Sequence, residues 1–174
     1  TIQEISMQLQ EIDKERYSKH FKQTFIGVVL VLLLIAVPVS TLLIQLFGDP
    51  EDSNTLLNLA GVVVAAFVVG ALFRKYRTHQ FLHEVMYVWD LKQVLNKIYR
   101  KHKSVKQAMA EGDRVAMLIM NFSYQGSKQL YNLDNNTITM DELNRDIIAL
   151  EKLLEENGYQ VTLEEFDVEL LERY

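Results

Sequence analysis

FIGVVLVLLLIAVPVSTLLIQLF at residues 25–47 and SNTLLNLAGVVVAAFVVGALF at residues 53–73 decide how this chain is built. Neither stretch carries a charge, and between them stands an acidic break, Gly48-Asp49-Pro50-Glu51-Asp52. A helix rises 1.5 Å per residue, so the first stretch would be about 34 Å long against a hydrocarbon core of about 30 Å. The second is long enough on the same arithmetic. Together they predict a transmembrane helical hairpin over 25–73. The first stretch is too long and uninterrupted for a signal-peptide core. No small-residue cleavage pattern follows it before Gly48, so it is expected to remain as an anchor.

Charge is sorted along the chain, and the overall −5 conceals this. Residues 1–22 carry four basic and four acidic side chains, and the break carries acids alone. Residues 74–109 then hold nine Lys or Arg against two acids, whereas 110–174 hold five against fourteen. Short loops rich in Lys and Arg stay on the cytoplasmic side. Lys14, Arg16, Lys19 and Lys22 precede the first span, and Arg74, Lys75 and Arg77 follow the second. Both termini are therefore expected in the cytoplasm of a bacterial cell, with the acidic turn in the periplasm. Cysteine is absent, which excludes disulfides and thiolate chemistry and leaves only His and carboxylates for any metal.

Before the first span, Ile5, Leu9 and Ile12, then Tyr17, Phe21 and Phe25, follow helical spacing. This predicts an amphipathic interfacial helix over 1–24, with the aromatic rings at the headgroup level. The leading Thr leaves Met7 as an alternative start. Within the first span, Pro38 predicts a bend near Ala36, with Ser40 and Thr41 placed to satisfy carbonyls that it frees. The second span repeats small residues four apart, Gly61 with Ala65 and Ala66 with Gly70. Such a face packs either against the first span or against another subunit.

From Arg74 to Ala110 neither Pro nor Gly interrupts the chain, and Phe81, Val85, Val88, Leu91, Leu95, Ile98, Val105 and Met109 form one apolar stripe. The pattern predicts a helix over 74–110 that can continue straight from the second span. Its other face carries Lys92, Lys97, Arg100, Lys101, Lys103 and Lys106. Such a face suits anionic lipid or an acidic protein surface, or else pairs with the chain's own acidic tail. Acidic helices are expected over 113–172. Glu111-Gly112-Asp113 makes a stop and a new start, although Gly126 weakens the middle of the next helix. Thr139-Met140-Asp141-Glu142 and Thr162-Leu163-Glu164-Glu165 each read as a capping box, and Gly158 suits a left-handed helix end.

Motifs for chemistry are set aside on spacing. His79 and His83 lie four apart beside Glu84, as in some zinc sites, but no third ligand is legible, so interfacial histidines are the better account. The loop Asp134-Asn135-Asn136-Thr137 starts like a calcium loop and fails, with Thr139 in the glycine position and Arg145 in that of the bidentate Glu. Ala108, Gly112, Asp113 and Ala116 resemble half of a tetratricopeptide hairpin, yet no 34-residue repeat is present. No cofactor is implied, and no catalytic residue can be nominated.

The runs MQLQEIDKERYSKH from Met7, LFGDPEDSN from Leu46, VWDLKQVLNKIYRK from Val88, GDRVAMLIMNFSYQGSKQL from Gly112 and LDNNTITMDEL from Leu133 resemble a family of small bacterial two-span inner-membrane proteins of unknown function. The resemblance covers nearly the whole chain from Met7. It implies a bacterial inner membrane and a shared architecture, and carries no activity to transfer. The expected fold is an all-α membrane protein, a hairpin followed by a cytoplasmic helical domain over 74–174. The expected function is a non-catalytic scaffold or accessory subunit in a homo- or hetero-oligomer, with protein or its own copies as partners and no nucleic acid. A small transporter or channel component is the alternative, weakened because no ionisable side chain lies within the spans.

Overall fold

The computed structural model describes residues 7–49, 53–136 and 138–174. The expectations for Ile5, for the start at Thr1, for Pro50-Glu51-Asp52 and for Thr137 fall outside the described residues. Among these residues are six α-helices: α1 Lys14–Phe47, α2 Thr55–Tyr76, α3 His83–Arg100, α4 His102–Ala110, α5 Arg114–Leu133 and α6 Met140–Glu156. Short 3-10 turns occupy Gln80–Leu82, Leu163–Glu165 and Val168–Arg173, and no strand occurs among the described residues. The chain forms two compact units. One is Glu15–Met86, and the other joins the N-terminal segment up to Lys14 to Tyr87–Tyr174.

The first unit is the hairpin. Both α1 and α2 are long and apolar enough to cross a membrane, and only 6% and 11% of their most apolar windows are buried. The core helix of a water-soluble protein would be mostly buried. Here Leu34 is 73% and Phe67 76% exposed, the arrangement suited to a hydrocarbon solvent. α1 stays continuous through Pro38. Thr41 Oγ1 donates to the Val37 carbonyl at 2.9 Å, but Ser40 Oγ reaches across the hairpin to the Asn58 carbonyl at 3.2 Å. Ser40 therefore couples the two helices instead of repairing its own.

The second unit has α5 at its centre, packed on α4 and α6. α5 is more than amphipathic. Ala116, Met117, Leu118, Ile119 and Met120 are consecutive and all buried, so every side of that turn meets protein. Phe122 stacks on Phe166 with ring centroids 3.8 Å apart. Each such fully buried large side chain stabilises by about 1.5–3 kcal/mol. Gly126 turns out to serve packing: a Cβ there would sit 3.2 Å from methyls of both Leu91 and Leu95, so the missing side chain lets α3 approach α5 closely.

Several local expectations are corrected. Residues 7–13 are not helical, so the lead-in helix begins only at Lys14. Tyr17 is buried at 4%, leaving Phe21 and Phe25 exposed. The helix expected over 74–110 is divided in two places. It breaks at Arg77–His79, where His79 is extended and its Nδ1 accepts from the Phe81 N–H at 3.2 Å. It breaks again at Lys101, whose carbonyl accepts from Ser104 Oγ at 2.9 Å. A polar side chain that binds the nearby backbone competes with continued helix in this way. Thr139 makes no side-chain cap, and the last expected helix is a pair of 3-10 turns.

Other ends follow expectation. Gly112 and Gly158 have φ of +91° and +67°. Asp113 Oδ1 caps α5 by accepting from the N–H groups of Val115 and Ala116 at 2.7 and 3.2 Å. Thr162 and Glu165 form their box, the Glu165 carboxylate accepting from the Thr162 N–H at 2.9 Å.

Candidate functional site

Among the described residues several polar clusters and a cavity stand out, each within a single unit. In the hairpin unit Glu84, in the first turn of α3, is only 5% exposed. Its two oxygens are taken by Arg16 Nε at 2.7 Å and His20 Nδ1 at 2.9 Å. Arg16 and His20 lie four apart on α1, so one helical face presents both to the carboxylate. The His20 ring also meets Phe81, with centroids 4.6 Å apart. Burial pushes the Glu84 carboxyl up, but the bonds from His20 and from its own backbone, with the Arg16 and His20 charges, outweigh this and hold it below the usual carboxylate range.

Sequence spacing does not reveal this cluster, because it sets Glu84 beside His79 and His83 and not beside Arg16 and His20. The available signal is that 74–109 contains just two acids, and one of them, Glu84, meets an Arg and a His one helical turn apart on α1. His83 is exposed, His79 caps the turn that follows it, and no group of three His, Asp or Glu able to hold a metal occurs among the described residues.

The small-residue face of α2 divides. Gly61 and Ala65 are buried, and a Cβ on Gly61 would overlap Ser40 Oγ and lie 2.9 Å from the Ala36 carbonyl. Ala66 and Gly70 are exposed, and a Cβ on Gly70 would meet nothing within 4 Å. Toward the other end the helices leave an open cavity of about 400 Å³ between Gly27, Val31, Val69 and Phe73.

In the helical unit the segment before α1 is tied down by a ring of three hydrogen bonds. The Gln10 N–H donates to Tyr87 Oη at 2.9 Å, Tyr87 Oη donates to Gln129 Oε1 at 2.8 Å, and Gln129 Nε2 donates back to the Gln10 carbonyl. Burial pushes the Tyr87 hydroxyl up, keeping it a donor. At the chain's far end Tyr174 Oη donates to Asp113 Oδ2 at 3.0 Å, and Arg114 bridges the Gln160 carbonyl and Glu165 at 2.7 and 2.6 Å.

The predicted basic face is present but uneven. Lys92 pairs with Asp134 at 3.0 Å, and Lys101 Nζ donates to the Leu171 carbonyl at 2.7 Å. Lys97, Arg100, Lys103 and Lys106 are exposed, as is Tyr99 at 76%.

An all-α chain with two helices of membrane-spanning length and composition, followed by a packed helical unit, defines the class. The family described as Protein of unknown function (DUF3087) matches residues 7–171, and the chain belongs to it. No curated protein and no solved structure matches the chain.

Proposed function

We propose that this is a non-catalytic integral protein of the bacterial inner membrane, a scaffold or accessory subunit that recruits an acidic protein surface, or a second copy of itself, to the cytoplasmic side. The observation that carries this reading is the uneven basic face. Among the described residues, Lys92 and Lys101 are the members of this face seen engaged by the acidic part of the chain, which leaves Lys97, Arg100, Lys103 and Lys106, all exposed, for something outside it. Tyr99, exposed among them, adds the amphipathic ring favoured at interfaces. Basic residues on both flanks of the hairpin and none in the described part of its turn support cytoplasmic termini.

Two measurements test this. In intact cells, a membrane-impermeant thiol reagent should label Ser53→Cys and spare Glu156→Cys; the reverse pattern inverts the orientation. Cross-linking in native membranes, read by mass spectrometry, should capture an acidic partner or a second copy. That product should fall about tenfold when Lys97, Arg100, Lys103 and Lys106 are all changed to Gln, as expected for loss of a little over 1 kcal/mol of steering and contact. An undiminished product removes the support for recruitment by charge.

A further inference from the structure

The cavity between α1 and α2 is an open wedge lying between two places where the unit is fastened. At the turn end Gly61 sits on Ser40 and Ala36; at the opposite end Glu84 binds Arg16 and His20. Between these fastenings about 400 Å³ stays open, within the range of about 300–1,000 Å³ that ligand pockets occupy. Its polarity runs in one direction along both helices. Gln23 and Thr24 on α1, and Tyr76 on α2, lie at the basic end together with His79, whereas Val28 and Val31, Val69 and Phe73 line the deeper part. Thr24 Oγ1 is buried with no hydrogen-bond partner. A Cβ at Gly27, which lines the cavity, would meet nothing within 4 Å. Water would find too few partners in so apolar a space, and an empty one forfeits dispersion contacts along its whole lining.

We propose that this wedge binds one anionic phospholipid, with an acyl chain between the spans and its phosphate at the Gln23, Tyr76 and His79 end. Turning about its Cα–Cβ bond would bring Thr24 Oγ1, now covered and without a hydrogen-bond partner, to a phosphate or ester oxygen there. The charge is argued from Lys22, Arg74 and Lys75, which are exposed and fall within about a turn of that end, where each is worth about 1 kcal/mol toward an anionic surface. The inference rests on the reading that the hairpin spans the bilayer.

The test uses the full chain in phosphatidylcholine vesicles containing phosphatidylglycerol with a photoactivatable diazirine midway along one acyl chain. Labelling should concentrate on Val28, Val31, Val69 and Phe73, and unlabelled phosphatidylglycerol, unlike added phosphatidylcholine, should compete it down about tenfold. Gly27→Leu, which places a side chain in open space, should reduce that labelling about tenfold. Thr24→Val, which keeps the shape, should weaken competition by phosphatidylglycerol. Labelling that is equal on the outward-facing Leu34 and Phe67, equal competition by phosphatidylcholine, or a cross-link from Val69 to a second copy each overturns the site. Alkaline carbonate extraction separates the two claims: a chain released by alkali fails the spanning reading, whereas a retained chain with an unlabelled wedge overturns the lipid site alone.

Discussion

In the hairpin unit many large apolar side chains of the two spans lie outside, while Ser40, Gly61, Ala65 and Glu84 are buried. In the helical unit the order is reversed, with Phe122 at 0% and Phe166 at 2% exposed and Lys97, Arg100 and Lys103 on the surface. The same physics gives both results. Water drives apolar surface inward, so the helical unit is held by the volume of its core. A hydrocarbon solvent gives no such drive, and helices in it associate through close backbone approach and polar contacts. The hairpin accordingly uses a glycine, a serine hydroxyl and an ion cluster where the other unit uses stacked phenylalanines.

The strongest way to break this comparison is to remove bulk from each side. Phe122→Ala deletes a ring stacked at 3.8 Å on Phe166 and should lower the stability of the helical unit by about 3–5 kcal/mol, as large-to-small changes in a tight core do. Phe67→Ala, by contrast, should leave the denaturation of detergent-solubilised protein within about 0.5 kcal/mol of wild type. Equal losses from the two variants would show that Phe67 is covered, against the exposed position described above.

Next in size is the polar fastening of the hairpin. Glu84→Gln should cost about 1–3 kcal/mol, less than the removal of one partner from a fully buried pair, because the Arg16 side chain is 48% exposed. Its pH dependence has a fixed sign. The folded carboxyl lies below its ordinary value, so the stabilisation is complete above the unfolded value of about 4.3 and is lost as pH falls through the lower folded value. Acid titration of wild type against Glu84→Gln, followed by protease resistance of the α2–α3 junction, checks this. Identical acid profiles would mean that the cluster contributes nothing to stability.

The hairpin was legible because charge-free runs of 23 and 21 residues are a strong signal and need no tertiary information. Helix breaks were harder, since the interruption at Arg77–His79 contains neither Gly nor Pro and depends on one imidazole binding a backbone N–H. The Gln10, Tyr87 and Gln129 ring joins residues 119 apart in sequence, and no spacing rule reaches that far. Gly126 illustrates the remaining gap. Propensity reads it as a weakness, and only the arrival of Leu91 and Leu95 reveals it as a crossing point.

A smaller effect is expected where the C-terminal turns meet α5. Tyr174→Phe removes the bond to Asp113 and should cost about 1 kcal/mol. Burial, and then the hydrogen bond and charge of Asp113, push the Tyr174 hydroxyl up to about 12. A raised folded value means that its contribution is complete below the unfolded value of about 10 and is lost as pH climbs through the folded one. Wild type and variant should therefore converge in thermal stability at strongly alkaline pH. A difference that persists there would show that the hydroxyl contributes through something other than its protonated bond to Asp113.

The smallest effect bears on whether the basic face is built for the chain itself. Lys92 and Asp134 form a pair whose side chains are 46% and 41% exposed, and pairs so wetted are worth between about 0 and 1 kcal/mol. Lys92→Gln should therefore change stability by no more than that, and should leave any partner cross-link intact, because its charge is already answered within the chain. Changing Lys97 instead should leave stability unaltered and lower cross-linking in a manner that added salt reproduces, since salt screens exposed charges over about 8 Å at physiological strength. The two lysines share a helix and differ in what lies opposite them. If both variants lower cross-linking equally, the division of the face into a self-paired part and an outward part does not hold, and its charge acts as a uniform field around α3 and α4.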